Sequence, residues 1–380
     1  MQKRFIAVAV ASLLAAPTFA QSSVTMYGTI DYGFVSLGSS SRDHATPAGN
    51  KKYATRNAID SGISKSNRFG FRGSEDLGNG LKAVFVLEQG LNGDTGSLWN
   101  SSQARQSYAG LAGNFGTVTL GRQHTPQHNF TIAVDPFRKN GLGTTANVLM
   151  QDKRLSNLAA YTSPSWGGFR FVLGYTLNAS DNENIENNGD TRVWAIAPSF
   201  TMDKLFVAAN YHAAKLNHAH NHGGALNNKS VFNVLDLYGS YDFGFVKLGS
   251  TIGRRTTKKD VIAPNKDSKL TQWMIGATFK VSPSDSILTS YSRASENKLD
   301  DNGARRISQF AVGYEHALSK RTVLYSQFAM QSHNKAFKDA GAFYTHRHDS
   351  TVGSPACSNL SSVCSPLYRR GFTAGFRHDF

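Results

Sequence analysis

Apolar and polar side chains alternate one for one through most of this chain. In "VTMYGTIDYGF", Val24, Met26, Ile30, Tyr32 and Phe34 share one face, and Thr25, Thr29 and Asp31 share the other. "GLKAVFVLEQG" sets Leu81, Ala83, Phe85 and Leu87 against Lys82 and Glu88. "FRFVLGYTLN" sets Phe169, Phe171, Leu173, Tyr175 and Leu177 against Arg170, Thr176 and Asn178. "TQWMIGATFKV" repeats the pattern with Trp273, Ile275, Ala277, Phe279 and Val281 opposite Gln272, Thr278 and Lys280. A period of two held over about ten residues marks a strand with one apolar face. The rhythm predicts sixteen strands, at 24–36, 64–75, 80–91, 102–112, 115–123, 152–163, 168–179, 191–201, 205–215, 231–242, 245–256, 270–282, 286–296, 305–317, 322–333 and 367–380.

Short turns such as "DLGN", "MDK", "PSD" and "SK" alternate with long connections at 37–63, 92–101, 124–151, 180–190, 216–230, 257–269, 297–304 and 334–366. Short turns at one rim, long loops at the other and an even strand number are the plan of an outer-membrane barrel. Closure satisfies every backbone hydrogen bond, as lipid demands. A soluble β-sandwich shares the alternation but not the charges. Asp31, Lys82, Glu88, Arg170 and Lys280 fall within strands, where a dry core would suffer several kcal/mol for each unpaired charge. A water-filled lumen removes that cost, and about sixteen strands close widely enough to hold one. The predicted fold is all-β: a sixteen-stranded antiparallel transmembrane β-barrel.

Composition narrows this further. Hydrophobic residues are 40% and mean hydropathy is −0.35. No Pro- or Ser-rich spacer divides the chain, so the strands form one unit. Lys3 and Arg4, the apolar run Phe5–Ala16, and Pro17 with Thr18 and Ala20 read as a secretory signal over 1–20. The run is too short for a helix of about 20 residues that would span a bilayer. The barrel domain is then 21–380, outside the cytoplasm and integral to the outer membrane. Without Lys3 and Arg4, 39 basic residues of the 41 face 26 acidic ones, a net of +13. The basic residues are spread over strands with no Lys/Arg cluster or recognition helix, which argues against nucleic acid as the partner. Anionic small solutes and lipopolysaccharide fit better. Cys357 and Cys364 in "CSNLSSVC" suggest a loop disulfide in an exported chain, with two free thiols as the alternative. "HAHNH" brings His218, His220 and His222 together in a polar loop with no carboxylate or cysteine beside them, which reads as a solvated loop rather than a metal site. No GxSxG or HExxH motif supports an enzyme, no passenger or plug domain supports an adhesin or receptor, and no cofactor is implied. Strand-end aromatics, among them Tyr27, Trp194, Tyr211, Trp273 and Tyr314, suit interfacial girdles.

One connection stands apart. Residues 121–151, "GRQHTPQHNFTIAVDPFRKNGLGTTANVLMQ", combine apolar anchors (Phe130, Ile132, Val134, Phe137, Leu142, Leu149) with Gly141 and Gly143. That suits a segment folded against a wall, and loops of this length tend to be functional. Around it the chain resembles the general-diffusion porins of Gram-negative bacteria, above all the β-proteobacterial kind found in Neisseria, Bordetella and Burkholderia. The resemblance is carried by "SSVTMYGTIDYGF", "NRFGFRGSEDLGNGLKAVFVLE", "RQSYAGLAGNFGTVTLGRQ", "VDPF", "RLSNLAAYTSPSWGGF" and "GFRHDF". It covers 22–180 and the last strand, while 181–366 matches in strand rhythm alone. It implies a homotrimer of sixteen-stranded barrels acting as passive pores for small hydrophilic solutes. The third long loop would fold into each barrel and set loop carboxylates across from a basic wall. A solute-specific channel is the alternative within this class.

The matching motifs assign wall arginines to Arg68, Arg105 and Arg154, and the first loop carboxylate to Asp135. Alternation independently turns Arg68 and Arg72 away from Phe69 and Phe71, and Arg154 away from Leu155. For Arg105 parity is ambiguous. Where enteric relatives carry a lysine after "YG" on the first strand, Thr29 stands here. Where they carry a second loop carboxylate, Lys139 stands here, beside Arg138. The pore should therefore prefer anions. Finally, Thr373, Gly375, His378 and Phe380 in "GFTAGFRHDF" resemble the signal by which the outer-membrane assembly machinery recognises its barrels. That strand should close the barrel against the first.

Overall fold

In the computed structural model of the chain, residues 22–39, 55–98, 104–150, 154–179, 192–217, 229–258, 267–297, 303–340 and 368–380 are described. Their strands are β1 (Ser23–Ser39), β2 (Thr55–Ser61), β3 (Arg68–Gly78), β4 (Leu81–Asn92), β5 (Ser97–Leu98) and β6 (Gln106–Gly113). Next come β7 (Gly116–His124), β8 (Arg154–Thr162), β9 (Phe169–Thr176), β10 (Arg192–Met202), β11 (Leu205–Asn217) and β12 (Lys229–Asp242). The last are β13 (Val246–Lys258), β14 (Ser268–Lys280), β15 (Asp285–Glu296), β16 (Arg305–Ala317), β17 (Thr322–His333) and β18 (Tyr368–Asp379). Two helices join them, α1 (Pro126–Val134) and α2 (Lys335–Ala340).

All the strand pairs are antiparallel, and β1 meets both ends of the sheet, so it closes. Eighteen strands make sixteen staves. β2 and β3 lie one after the other along β1, at Tyr32–Gly38 and Ser23–Thr29, and β5 is a two-residue pairing on the end of β4. The second stave, expected as one strand at 64–75, is thus two strands. The expected long connection at 37–63 contains the first of them. Between them Gly62 to Asn67 turn inward, an excursion that alternation does not signal.

Most of the expected faces hold, but Leu155, expected to face out opposite Arg154, is buried with inner residues Leu158 and Val193, next to the register shift between β7 and β8. Val24, Met26, Phe69, Phe71, Leu173, Ile275 and Phe376 lie on the exposed outer face. Thr29, Asp31, Gln272, Thr373 and Arg377 are buried on the inner one. Trp194 with Tyr211, and Trp273 with Tyr291, form tilted outer pairs at 5.2 and 5.5 Å. Tyr27 is no girdle residue. It has the inward parity, and its hydroxyl donates to Glu88 at 3.1 Å.

The apolar core lies inside the sheet. The chain from Thr125 to Met150 packs its Val134, Val148, Leu149 and Met150 against Tyr238, Leu270, Met274 and Ile307. Phe137 and Leu142 meet Val35, Ile63, Leu288 and Tyr325. A row of inward glutamines fixes the backbone. Gln272 exchanges two bonds with Met150 (2.8 and 3.0 Å), Gln309 donates to the Thr144 carbonyl at 3.0 Å, and Gln327 accepts from Gly143 N. At Gly249 and Gly276 any Cβ would run into the Val134 carbonyl and the Pro136 ring, so the wall carries glycine where this segment comes closest.

Two charges expected in open water are elsewhere. Asp31 is fully buried and accepts from Tyr325 Oη (2.6 Å), Lys65 N (2.7 Å) and Ile63 N (3.2 Å). These bonds hold the inward excursion. Glu88 is buried among arginines. Lys82, Arg170 and Lys280 sit at strand ends. The charges within strands are therefore accommodated by paired donors or by rim position more than by a wet lumen.

Candidate functional site

A cavity of about 560 Å³ lies between the wall formed by β1, β3, β4 and β6 and the segment that follows α1. Arg68, Arg72, Glu88 and Arg105 line it on the wall side, and Pro136, Phe137, Arg138 and Asn140 on the other. Lys65, Glu315 and Arg377 complete the ring of charge. Six cations (Lys65, Arg68, Arg72, Arg105, Arg138, Arg377) face two carboxylates, a net of +4 with His124 and His128 neutral.

Each side chain arrives by a traceable route. Arg68 and Arg72 alternate with the outward Phe69 and Phe71, and Arg72 lies over the Tyr27 ring at 5.4 Å. Arg105 breaks parity, since Ser107, Ala109 and Leu111 face out. It precedes the first residue of β6 and is turned inward by two bonds to Glu88. Its N–H donates to the Glu88 carbonyl at 2.8 Å and its Nε to Oε1 at 2.6 Å. Arg68 Nε stands 3.5 Å from the other carboxylate oxygen. Glu88 thus spaces two arginines that would otherwise repel.

On the opposite side, Arg138 and Lys139 both have left-handed backbones, at φ 51° and 62°. Non-glycine residues there cost about 1–2 kcal/mol each. Asp135 holds the turn. Its carboxylate accepts from Phe137 N (3.0 Å), Lys139 N (3.1 Å), Thr145 N (3.2 Å) and Thr145 Oγ1 (2.9 Å). Burial pushes the Asp135 carboxyl above the usual carboxylate range, and these donors oppose the shift. The strain leaves Arg138 exposed and lining the cavity.

Four of the seven expected constriction residues therefore meet here: Arg68, Arg72, Arg105 and Arg138. Asp135 does not line this cavity, because its oxygens are committed to its own turn. Lys139 is buried with Nζ 2.9 Å from His128 Nδ1. Arg154 opens β8 opposite His124, outside this lining. Sequence reasoning missed Lys65, Glu315 and Arg377. Parity on the last strand does turn Arg377 inward. Nothing in the alternation marks Lys65, whose excursion exists only because Asp31 caps it. Lys65 Nζ pairs with Asp379 at 2.7 Å. Arg377 bonds Ser64 Oγ at 2.8 Å and Glu315 at 3.3 Å.

The closing strand is equally specific. β18 pairs with β1 from Thr29↔Asp379 to Ser39↔Tyr368. Thr373 Oγ1 donates to the Phe34 carbonyl at 2.8 Å, Gly375 packs on the Tyr32 backbone, and His378 Nδ1 lies 2.9 Å from Thr322 Oγ1. Phe380 exchanges backbone bonds with Gly28 at 3.0 and 3.2 Å and lays its ring over that glycine. The 1–20 segment, Cys357 with Cys364, and His218, His220 and His222 lie outside the described residues.

Comparison with known proteins agrees with this architecture. The sequence pattern of the Gram-negative porins matches residues 7–336. The chain is 31% identical over 390 residues to outer membrane porin protein 32 of Delftia acidovorans, covering 100% of both. Its fold superposes on the anion-selective porin from Comamonas acidovorans with a TM-score of 0.70 at 25% identity, over 95% of this chain and 100% of that one. The trimer form of OmpT of Vibrio cholerae shares the fold alone, with a TM-score of 0.64 at 16% identity over 94% and 99% of the two chains. A closed barrel with an apolar exterior and a charged internal cavity is how a protein passes solutes through the outer membrane without catalysis, and by sequence and fold this chain belongs to the Gram-negative porin family.

Proposed function

We propose that this porin prefers small hydrophilic anions. The observation that carries the reading is the net +4 lining of the 560 Å³ cavity. Unit charges about 8 Å apart interact by about 0.5 kcal/mol in water and about 2 kcal/mol at an effective dielectric of 20. Several cations acting together attract anions and repel cations from one narrow space. Arginine suits the role because it stays protonated beside like charges. In this reading residues 124–151 form the constriction, set against the arginine wall. Arg154 and Lys139 contribute charge from behind it, and Asp135 serves the loop rather than the solute. The anion selectivity of the Comamonas acidovorans porin points the same way. The decisive measurement is the reversal potential of bilayer-reconstituted channels in a KCl gradient. A potential of cationic sign would end this reading and leave the channel itself standing.

The working unit in this proposal is a homotrimer in contact with lipid and lipopolysaccharide, formed after residues 1–20 are removed to leave 21–380. Thr373, Gly375, His378 and Phe380 serve as the mark read by the outer-membrane assembly machinery. N-terminal sequencing and the mass of the detergent-solubilised assembly test the first two points.

A further inference from the structure

The inner faces of β8, β9 and β10 are more apolar than a channel's lumen usually is, while β11 sets Asn210 and His212 beside them. Leu158 and Ala160 on β8, Val172 on β9, and Val193 and Ala195 on β10 all line one internal space. α1 covers part of this patch. Its Phe130 meets Phe206 and Tyr238 edge-on, with centroids 5.9 and 5.7 Å apart. The cover is incomplete, and a second cavity of about 130 Å³ remains between α1 and the wall. Leu158 and Val193 belong to a buried apolar cluster with Leu155, Ala214, Phe232 and Val234, so the wall is braced against collapse into the space.

Size and lining together point to one kind of guest. A cavity of about 150 Å³ can hold a benzene ring, and ligand sites typically combine apolar walls with a few polar groups; here Leu158, Val172 and Val193 supply the first, and Asn129, Asn210 and His212 the second. The neighbourhood adds a second requirement. His124 lines both this cavity and the arginine-lined one, so the two adjoin there. A ring seated in the first would leave an attached anionic group on the side of the cations of the second.

We propose that the pore carries a binding site for small aromatic acids: the ring of a monocyclic carboxylate occupies the partly apolar cavity behind α1, and its carboxylate stays with the arginine-lined cavity. The inference rests on the anion-preferring reading above. Its test is the KCl current of full-length channels in planar bilayers, titrated with benzoate and, separately, with acetate. Benzoate should block the current in a saturable way, at a half-blocking concentration at least about tenfold below that of acetate, because only its ring finds apolar surface to cover. Ala195→Leu fills the cavity and should abolish the difference while leaving the KCl reversal potential unchanged. Gly174→Ala should reduce it. That added methyl would meet Leu158 Cδ1 at 3.4 Å and Ala195 Cβ at 3.8 Å, ordinary contacts that keep the variant foldable. Equal block by benzoate and acetate in an anion-preferring channel would overturn the proposal. So would undiminished benzoate block in both variants. A channel without anion preference that still separates benzoate from acetate would overturn the selectivity reading and leave the cavity's role in place.

Discussion

Neutralising Arg68 tests the electrostatic argument where it is simplest. Arg68→Gln removes one of the six cations of the cavity. It strands no buried charge, because Glu88 keeps Arg105 at 2.6 Å and the Tyr27 hydroxyl at 3.1 Å. An ion at the centre of a space of about 560 Å³ sits about 8 Å from the charged atoms of its wall, where one unit charge contributes about 0.5 kcal/mol in water. At 0.1 M salt the Debye length of about 10 Å cuts this by about half. The loss acts with opposite sign on anion and cation. The anion:cation permeability ratio should therefore fall about twofold with full screening and about fivefold if salt is excluded from the cavity. The assay is the reversal potential across a planar bilayer in a KCl gradient near 0.1 M. Repeated near 1 M, where the Debye length is about 3 Å, wild type and variant should converge. An unchanged potential at low salt, in a variant of wild-type conductance, would refute the claim that wall charge sets selectivity. A shift of equal size at high salt would refute its electrostatic origin.

Lys65→Gln should move the same potential by less than half as much, because Asp379 lies 2.7 Å from the ammonium and already cancels most of its field; Asp379→Asn should move it the other way. Gly249→Leu would drive a side chain into the Val134 carbonyl and push the segment after α1 off β13 toward the arginine wall, so single-channel conductance should fall; unchanged conductance would show that this segment does not narrow the path. Asp135→Asn replaces an acceptor oxygen by an amide NH2 that faces other donors, at about 1–3 kcal/mol for each buried donor left unsatisfied, and should appear as added current noise and substates in single-channel records as the Arg138–Lys139 turn loosens. Deleting Phe380 removes both backbone bonds to Gly28 and should lower the yield of heat-resistant assembled protein on gels far more than it alters conductance. Gly28→Ala, which crowds the same ring, should lower the dissociation temperature in the same assay.

How much of this was legible in the chain depends on the range of the forces involved. Which face of each strand meets lipid is a local property of alternation. Phe69 and Phe71 lie outside, Arg68 and Arg72 inside, and the last strand closes on the first. Arg105 escaped that logic because it precedes its strand and is aimed by Glu88, seventeen residues away. Asp135 escaped it too: an aspartate in a loop reads as a free charge until Thr145 and two turn amides claim its oxygens. Lys65 could not be found at all, since the inward excursion that carries it exists only where Asp31 and Tyr325, 294 residues apart, come together.

The sequence alone settled the barrel, its strand number, its lipid-facing residues and the positive balance of charge, because period-two alternation and net charge need no partner to be read. Tertiary structure decided which charges share a cavity, which carboxylates are spent on holding loops, and where a second, partly apolar pocket adjoins the charged one. Those outcomes depend on side chains brought together by closure of the sheet, and closure sets distances that no local pattern encodes.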